Sequence, residues 1–82
     1  MAHRNLRSAA RKLGHHGGRE FYGYLTPAEI VALCAHGARP THSSERIKQV
    51  AEERVKNGIS GGMSFYCTIS GEAEKAYLEL RG

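Results

Sequence analysis

The chain has 82 residues and a mass of 9.0 kDa, a size that limits it to one small domain. Hydrophobic residues make up 40% of the sequence and charged residues 24%, a balance that excludes the low-hydrophobicity class of disordered proteins. No apolar run is long enough to cross a membrane or to form the core of a secretory signal. We therefore expect a folded, soluble, cytoplasmic protein.

The net charge of +4 is concentrated near the N-terminus. The first 19 residues contain five of the twelve lysines and arginines and none of the eight acidic residues. A basic segment on a nearly neutral body indicates a polyanionic partner such as nucleic acid, although a solvated helix face gives the same pattern. We divide the single domain into a basic helix and linker, residues 1–19, and a body, residues 20–82.

Helical spacing predicts a short basic first helix. Its apolar stripe and its basic stripe lie on different faces: Leu6, Ala9, Ala10 and Leu13; Arg4, Arg7 and Arg11. The glycines at positions 14, 17 and 18 are predicted to stop this helix and to form a flexible linker with two histidines between them. The segment Glu20–Leu25 alternates aromatic residues and is predicted to be a short strand.

The second helix has the clearest start signal in the chain. Thr26 supplies an N-cap hydroxyl, Pro27 suits the first helical position, and Glu29 is placed to complete a capping box. Its predicted buried face is Ile30, Leu33 and Cys34. Gly37 then provides a residue that can adopt the left-handed conformation at a helix end.

Ser43 and Ser44 are predicted to cap a third helix that ends at Asn57-Gly58. Its apolar stripe is Ile47, Val50, Ala51 and Val55. Period-two alternation then predicts a half-buried strand over residues 63–69, and the Gly61-Gly62 pair favours a hairpin with Ile59-Ser60 as its partner strand. The chain is expected to end in a short helix with this apolar side: Ala73, Ala76, Tyr77 and Leu80.

The order helix, strand, helix, helix, hairpin, helix is that of a winged-helix domain. Residues 66–78, YCTISGEAEKAYL, resemble the wing-to-helix passage of MarR-type and PadR-type regulators, where a strand ends in Thr-x-x-Gly before a helix. Residues 53–59 are similar to the end of their recognition helix. The resemblance covers residues 20–80 and implies a small α+β winged-helix domain, of order α-β-α-α-β-hairpin-α, that regulates transcription or assists it by binding DNA.

The resemblance also implies that the third helix enters the major groove with its first turn foremost. Arg46 matches the bidentate geometry of a guanine edge and Gln49 that of an adenine edge, and Ser44 is a further base contact. Expected phosphate contacts, from the first helix and around the third, are Arg4, Arg7, Arg11, Arg39, His42, Ser43, Lys48 and Lys56. The alternative is that the third helix is an ordinary solvated helix whose serines only cap it.

The sequence is also compatible with functions other than DNA binding. The alternative function is that of a protein-binding adaptor or inhibitor with a tyrosine-rich surface, because tyrosine is enriched in interfaces. The last helix is also a candidate homodimer contact through Tyr77, Leu78 and Leu80. No nucleophile–base pattern and no zinc-ligand spacing occurs, so we expect no enzyme, metal or cofactor, with Cys34 and Cys67 as reduced, buried thiols.

Overall fold

The structure is a computed structural model that describes residues 2–82, and the side chains of residues 4–82. The elements follow in this order: α1 (Ala2–Lys12), β1 (Gly14–Gly17), β2 (Glu20–Leu25), α2 (Pro27–Ala35), β3 (Arg39–Pro40), a 3₁₀ turn (His42–Ser44), α3 (Glu45–Lys56), β4 (Met63–Thr68) and α4 (Gly71–Arg81). The domain is therefore α+β, as the sequence predicts. Met1 of the predicted unit 1–19 lies outside the described residues.

The four strands form one antiparallel sheet in the order β1-β2-β4-β3. β2 and β4 pair along their full length, from Glu20 opposite Thr68 to Leu25 opposite Met63. Alternate residues of a strand point to opposite faces, and the inward set on these two strands packs under the helices. The largest buried side chain of that set is Phe65. The other face of the sheet carries polar and aromatic residues.

The core lies between the sheet and a layer of helices. α1 packs against α2 and α4, and α2 packs against α3. Leu6, Ala9 and Leu13 of the N-terminal segment are buried in the same cluster as the inward residues of the sheet. The basic first helix is thus part of the core of a single domain.

The capping box of α2 is present as predicted. Thr26 Oγ1 accepts a hydrogen bond from Glu29 N at 3.2 Å, and Glu29 Oε1 accepts one from Thr26 N at 2.7 Å. The same carboxylate is buried and also accepts hydrogen bonds from Lys12, at 3.0 Å, and from the Ser8 hydroxyl. One side chain therefore starts α2 and connects it to α1.

The prediction of a flexible linker over residues 14–18 is wrong. Gly14–Gly17 is β1, and it pairs with β2, with Gly14 opposite Tyr22 and His15 opposite Phe21. Gly18 has φ +53°, so it turns the chain between the two strands of a tight hairpin. The sequence predicts that these glycines are flexible. In the structure, Gly14 and Gly17 pair with residues of β2.

The predicted partner strand Ile59-Ser60 is also wrong. Residues 59–62 form no strand, and β4 pairs instead with β2 and with β3. β3 lies between α2 and α3, where the sequence analysis predicts no strand. The hairpin of this domain therefore precedes α2, and no hairpin follows α3 in the described chain.

The start and the buried face of α3 differ from prediction. Neither Ser43 nor Ser44 caps α3 with its side chain; both lie in the 3₁₀ turn, and Ser44 Oγ accepts a hydrogen bond from Tyr66 N at 3.0 Å. Val55, predicted to be buried, is 45% exposed because the end of α3 extends past the core.

No helix within residues 2–82 is long and apolar enough to cross a membrane.

Candidate nucleic-acid interface

Five of the eleven side chains that were predicted to contact DNA are exposed at the start of α3 or shortly before it. Arg46 and Gln49 are exposed on the first two turns, and His42 and Ser43 are exposed in the 3₁₀ turn before them. Arg39 is exposed on β3, one short connection earlier. These five residues are therefore grouped at one edge of the sheet, and we call them the α3-start cluster.

Two predicted contacts are not available in the expected way. Ser44 is only 2% exposed, and its hydroxyl holds the β4 backbone at Tyr66. Lys48 is half-buried and lies close enough to Cys34 of α2 to affect the pKa of that thiol. Burial raises the pKa of Cys34, Lys48 lowers it and Glu52 raises it. Ser44 and Lys48 are therefore not among the proposed DNA contacts.

The arginines of α1 lie on a different surface. Arg4, Arg7 and Arg11 are all exposed, and Arg7 lines a groove between α1 and α4 together with Lys75 and two carboxylates, Glu72 and Glu79. The two carboxylates balance the two positive charges of this groove.

The α1 stripe and the α3-start cluster do not form one patch. An apolar groove brings the beginning of α1, at Asn5, close to the end of α3, at Val55. Val55 is more than two helical turns beyond Arg46, which is roughly 13 Å at 1.5 Å per residue. Lys56, the last residue of α3, is exposed at this far end. A single ligand must therefore be extended to contact both groups.

The face of the sheet that lacks helices carries three of the four tyrosines. Strand alternation and register place Tyr22, Tyr24 and Tyr66 on this face, which we call the tyrosine face. Tyr22 lies directly opposite Tyr66, and Tyr24 lies opposite Ser64. Tyr22 is 44% exposed and Tyr24 67% exposed, whereas Tyr66 is half-buried.

The rings on this face are held by one another. The Tyr22 and Tyr66 rings are stacked, with centroids 5.2 Å apart and an interplanar angle of 19°. The edge contacts of His16 to both rings, at 5.7 and 5.2 Å, complete a three-ring cluster. Such contacts between aromatic rings fix their orientation.

Tyr24 lies at the free end of this face and rests on a glycine. A Cβ atom added to Gly62 would lie 2.5 to 3.1 Å from three carbon atoms of the Tyr24 ring. One side of this ring therefore packs against the backbone of Gly62, while the residue as a whole is the most exposed of the large hydrophobic side chains.

The strand register places one cationic and one acidic side chain on the tyrosine face, Arg39 and Glu20. Arg39, on β3, lies opposite Thr68 of β4, at the end of the face away from Tyr24. The α3-start cluster is joined to the same strand, because Thr41 N donates to Tyr66 O at 3.0 Å. Glu20 contributes a carboxylate, which lies 3.7 Å from Nε2 of His16. The face and the cluster are therefore neighbours along β4.

The predicted dimer contact on α4 is mostly occupied within the chain. The Tyr77 ring packs against Phe21 with centroids 5.0 Å apart, and the Arg81 guanidinium lies 4.8 Å from its centroid. Leu80 is half-buried, which leaves Leu78, at 58% exposure, as the outward residue of the three.

The two cysteines are free thiols, Cys67 buried and Cys34 half-buried. Burial, followed by the neighbouring Cys34 and Glu20, raises the pKa of Cys67 to about 12. This thiol is therefore a poor nucleophile at neutral pH. Among the side chains of residues 4–82, no group of three or more histidine, cysteine or acidic residues is arranged to hold a metal ion.

No protein family, curated protein or solved structure matches this chain at a significant level. The residues of the site must therefore be interpreted from their own geometry. Sequence patterns predicted a role for tyrosine in contacts, but not that Tyr22, Tyr24 and Tyr66 share one face. The alternation of Tyr22 and Tyr24 could have shown that these two side chains share a face. The pairing of β2 with β4 could not be predicted, because no hairpin connects the two strands.

Proposed function

We propose that this chain binds nucleic acid, and that duplex DNA is held against the α3-start cluster. The observation that carries the proposal is the exposure of Arg46 and Gln49 on the first turns of α3, next to Arg39 and His42. Arginine and glutamine have the donor geometry for guanine and adenine edges in the major groove. Arg39 and His42 would then contact the phosphates beside them.

The proposed class is a small DNA-binding regulator or accessory factor. The resemblance to winged-helix regulators supports it through the helix–strand order from α3 to α4, whereas the position of the hairpin before α2 departs from that pattern. Arg4, Arg7 and Arg11 would add contacts to phosphates farther along the duplex. A homodimer through α4 is a separate proposal and rests on Leu78 alone.

The test is a fluorescence-anisotropy titration of the purified chain with labelled duplex DNA at low and high salt. We expect affinity to fall steeply as salt increases, because bound phosphates release counterions. Arg46→Ala should cost about 1–3 kcal/mol on a selected site and relax the preference at one base pair. Arg7→Ala should weaken binding to all sequences alike and make the salt dependence shallower.

Arg19→Ala, in the turn between β1 and β2, is the matched control, because it also removes one exposed positive charge but lies at the opposite edge of the sheet from Arg39. Its affinity should stay close to that of the wild type. If the duplex does not bind at low salt, the proposal is wrong. Capture of a protein partner would then favour the alternative function of an adaptor.

A further inference from the structure

We infer that the tyrosine face is a binding site for unpaired bases of single-stranded nucleic acid, with Tyr24 as its main stacking ring. This inference rests on the proposed function, because it assumes that the chain binds nucleic acid, and it adds the class of strand. Its stacking rings lie on a different surface from the first turns of α3, and Arg39 is the residue that the two surfaces share.

The first argument is the exposure and support of the Tyr24 ring. One side of the ring lies on the backbone of Gly62, and the residue is 67% exposed. A ring held in this way loses little conformational freedom when a base stacks on its open side. Stacking on tyrosine accepts any base, because every base has a π-face.

The second argument is the spacing of the aromatic side chains. Tyr22 and Tyr24 are two residues apart on one strand, which separates them by roughly 7 Å. The Tyr22–Tyr66 stack and His16 extend the aromatic surface across the neighbouring strands. An open antiparallel sheet with exposed aromatic rings is a common platform for splayed bases.

The third argument is charge. Arg39 at the β3 edge lies at the end of the face away from Tyr24, so a strand that stacks on Tyr24 and crosses the Tyr22–Tyr66 pair would bring its sugar–phosphate backbone to this positive group. Glu20 is the opposing charge on this face and lies 3.7 Å from Nε2 of His16. A duplex stacks its bases internally and cannot use these rings, so the face selects for unpaired strands.

The experiment compares labelled single strands of about 12 nucleotides, DNA and RNA of one sequence, with the matching duplex. Tyr24→Leu keeps an apolar side chain without a π-system, and Tyr24→Phe keeps the ring. We expect Tyr24→Leu to weaken single-strand binding about 5- to 100-fold, while Tyr24→Phe stays within about 2-fold of the wild type. A 2-aminopurine base in the DNA strand should lose fluorescence when it stacks on the wild type and on Tyr24→Phe.

A second pair of variants moves the ring without removing it. Gly62→Ala places a methyl group against the Tyr24 ring, whereas a Cβ at Gly61 meets nothing within 4 Å. We expect Gly62→Ala to weaken single-strand binding and Gly61→Ala to leave it unchanged. Thermal melts establish whether each variant is folded. The Tyr24 variants are expected to keep the fold, because Tyr24 is exposed.

The outcomes separate this inference from the proposed function. Duplex binding that depends on Arg46, with single-strand binding unaffected by Tyr24→Leu, would overturn the inference and leave the proposed function standing. Equal losses in Tyr24→Leu and Tyr24→Phe would also overturn it, since the hydroxyl and not the ring would then be responsible. If neither strand form binds, both are wrong, and a protein ligand for the tyrosine face is the remaining interpretation.

Discussion

Glu29 is a buried carboxylate that accepts hydrogen bonds from three residues: Ser8 and Lys12 of α1, and Thr26, the N-cap of α2. Burial raises its pKa, but hydrogen bonds from Ser8, from the Thr26 backbone and from Lys12 outweigh burial, so the pKa lies below its ordinary value of 4.5. A lowered pKa in the folded state means that the ionised form stabilises the fold. This contribution is present above about pH 4.5 and is lost as the pH falls through the folded-state pKa.

We therefore expect Glu29→Gln to lower the free energy of unfolding at neutral pH by about 2 kcal/mol, because the amide offers hydrogens to groups that also donate. The difference from the wild type should shrink in acid, where Glu29 itself becomes protonated. Urea denaturation at about pH 7 and about pH 3 measures both values. Glu53→Gln, an exposed change on α3, is the control. A difference independent of pH would show that Glu29 is not the linked group.

At the scale of elements, the junction between α2 and α4 depends on close backbone approach. Ala73 N donates to His36 O at 2.9 Å, and Ser70 Oγ donates to Gly37 O at 3.0 Å. Gly37 has φ +118°, and a Cβ there would overlap the carbonyl oxygen of Ser70. The sequence predicts that α2 ends at Gly37, but only the structure shows that Gly37 contacts Ser70 at the start of α4.

Gly37→Ala is expected to cost about 2–4 kcal/mol, because the left-handed conformation and the overlap with Ser70 both oppose a side chain. Gly58→Ala is the matched control: φ is +72° there, but a Cβ meets nothing within 4 Å. Only the backbone cost of about 1 kcal/mol applies at Gly58. Equal losses in thermal or urea unfolding would mean that the Ser70 contact adds nothing.

At the scale of the whole molecule, the question is whether residues 20–82 can fold without the N-terminal segment. Leu6, Ala9 and Leu13 are buried, and Ser8 and Lys12 hold Glu29. Removing residues 1–19 uncovers this surface, so we expect residues 20–82 alone to lose cooperative unfolding. Circular dichroism melts and the dispersion of amide NMR signals measure this loss.

The control for that truncation is the full-length chain in which Arg4, Arg7 and Arg11 are replaced by alanine. These side chains are exposed, so the melt should stay close to that of the wild type. A truncated chain that still folds would show that the basic helix is a separable arm, as the charge distribution suggests.

The sequence by itself determined the helices, the strands β2 and β4 as separate elements, and the capping box at Thr26. These features depend on contacts within a few positions, where residue type and spacing act directly. It also predicted that Arg46 and Gln49 are exposed, because charged and amide side chains on the outer face of a helix remain in water.

The tertiary structure alone decided which strands pair. β1 was predicted to be a linker and Ile59-Ser60 a strand, because glycine content reports local flexibility and carries no information on a distant partner. The same long-range pairing brings Tyr22 opposite Tyr66 and places Arg39 beside them. The candidate site for unpaired bases therefore exists only in the folded chain, since strands that are remote in sequence must join before their side chains form one surface.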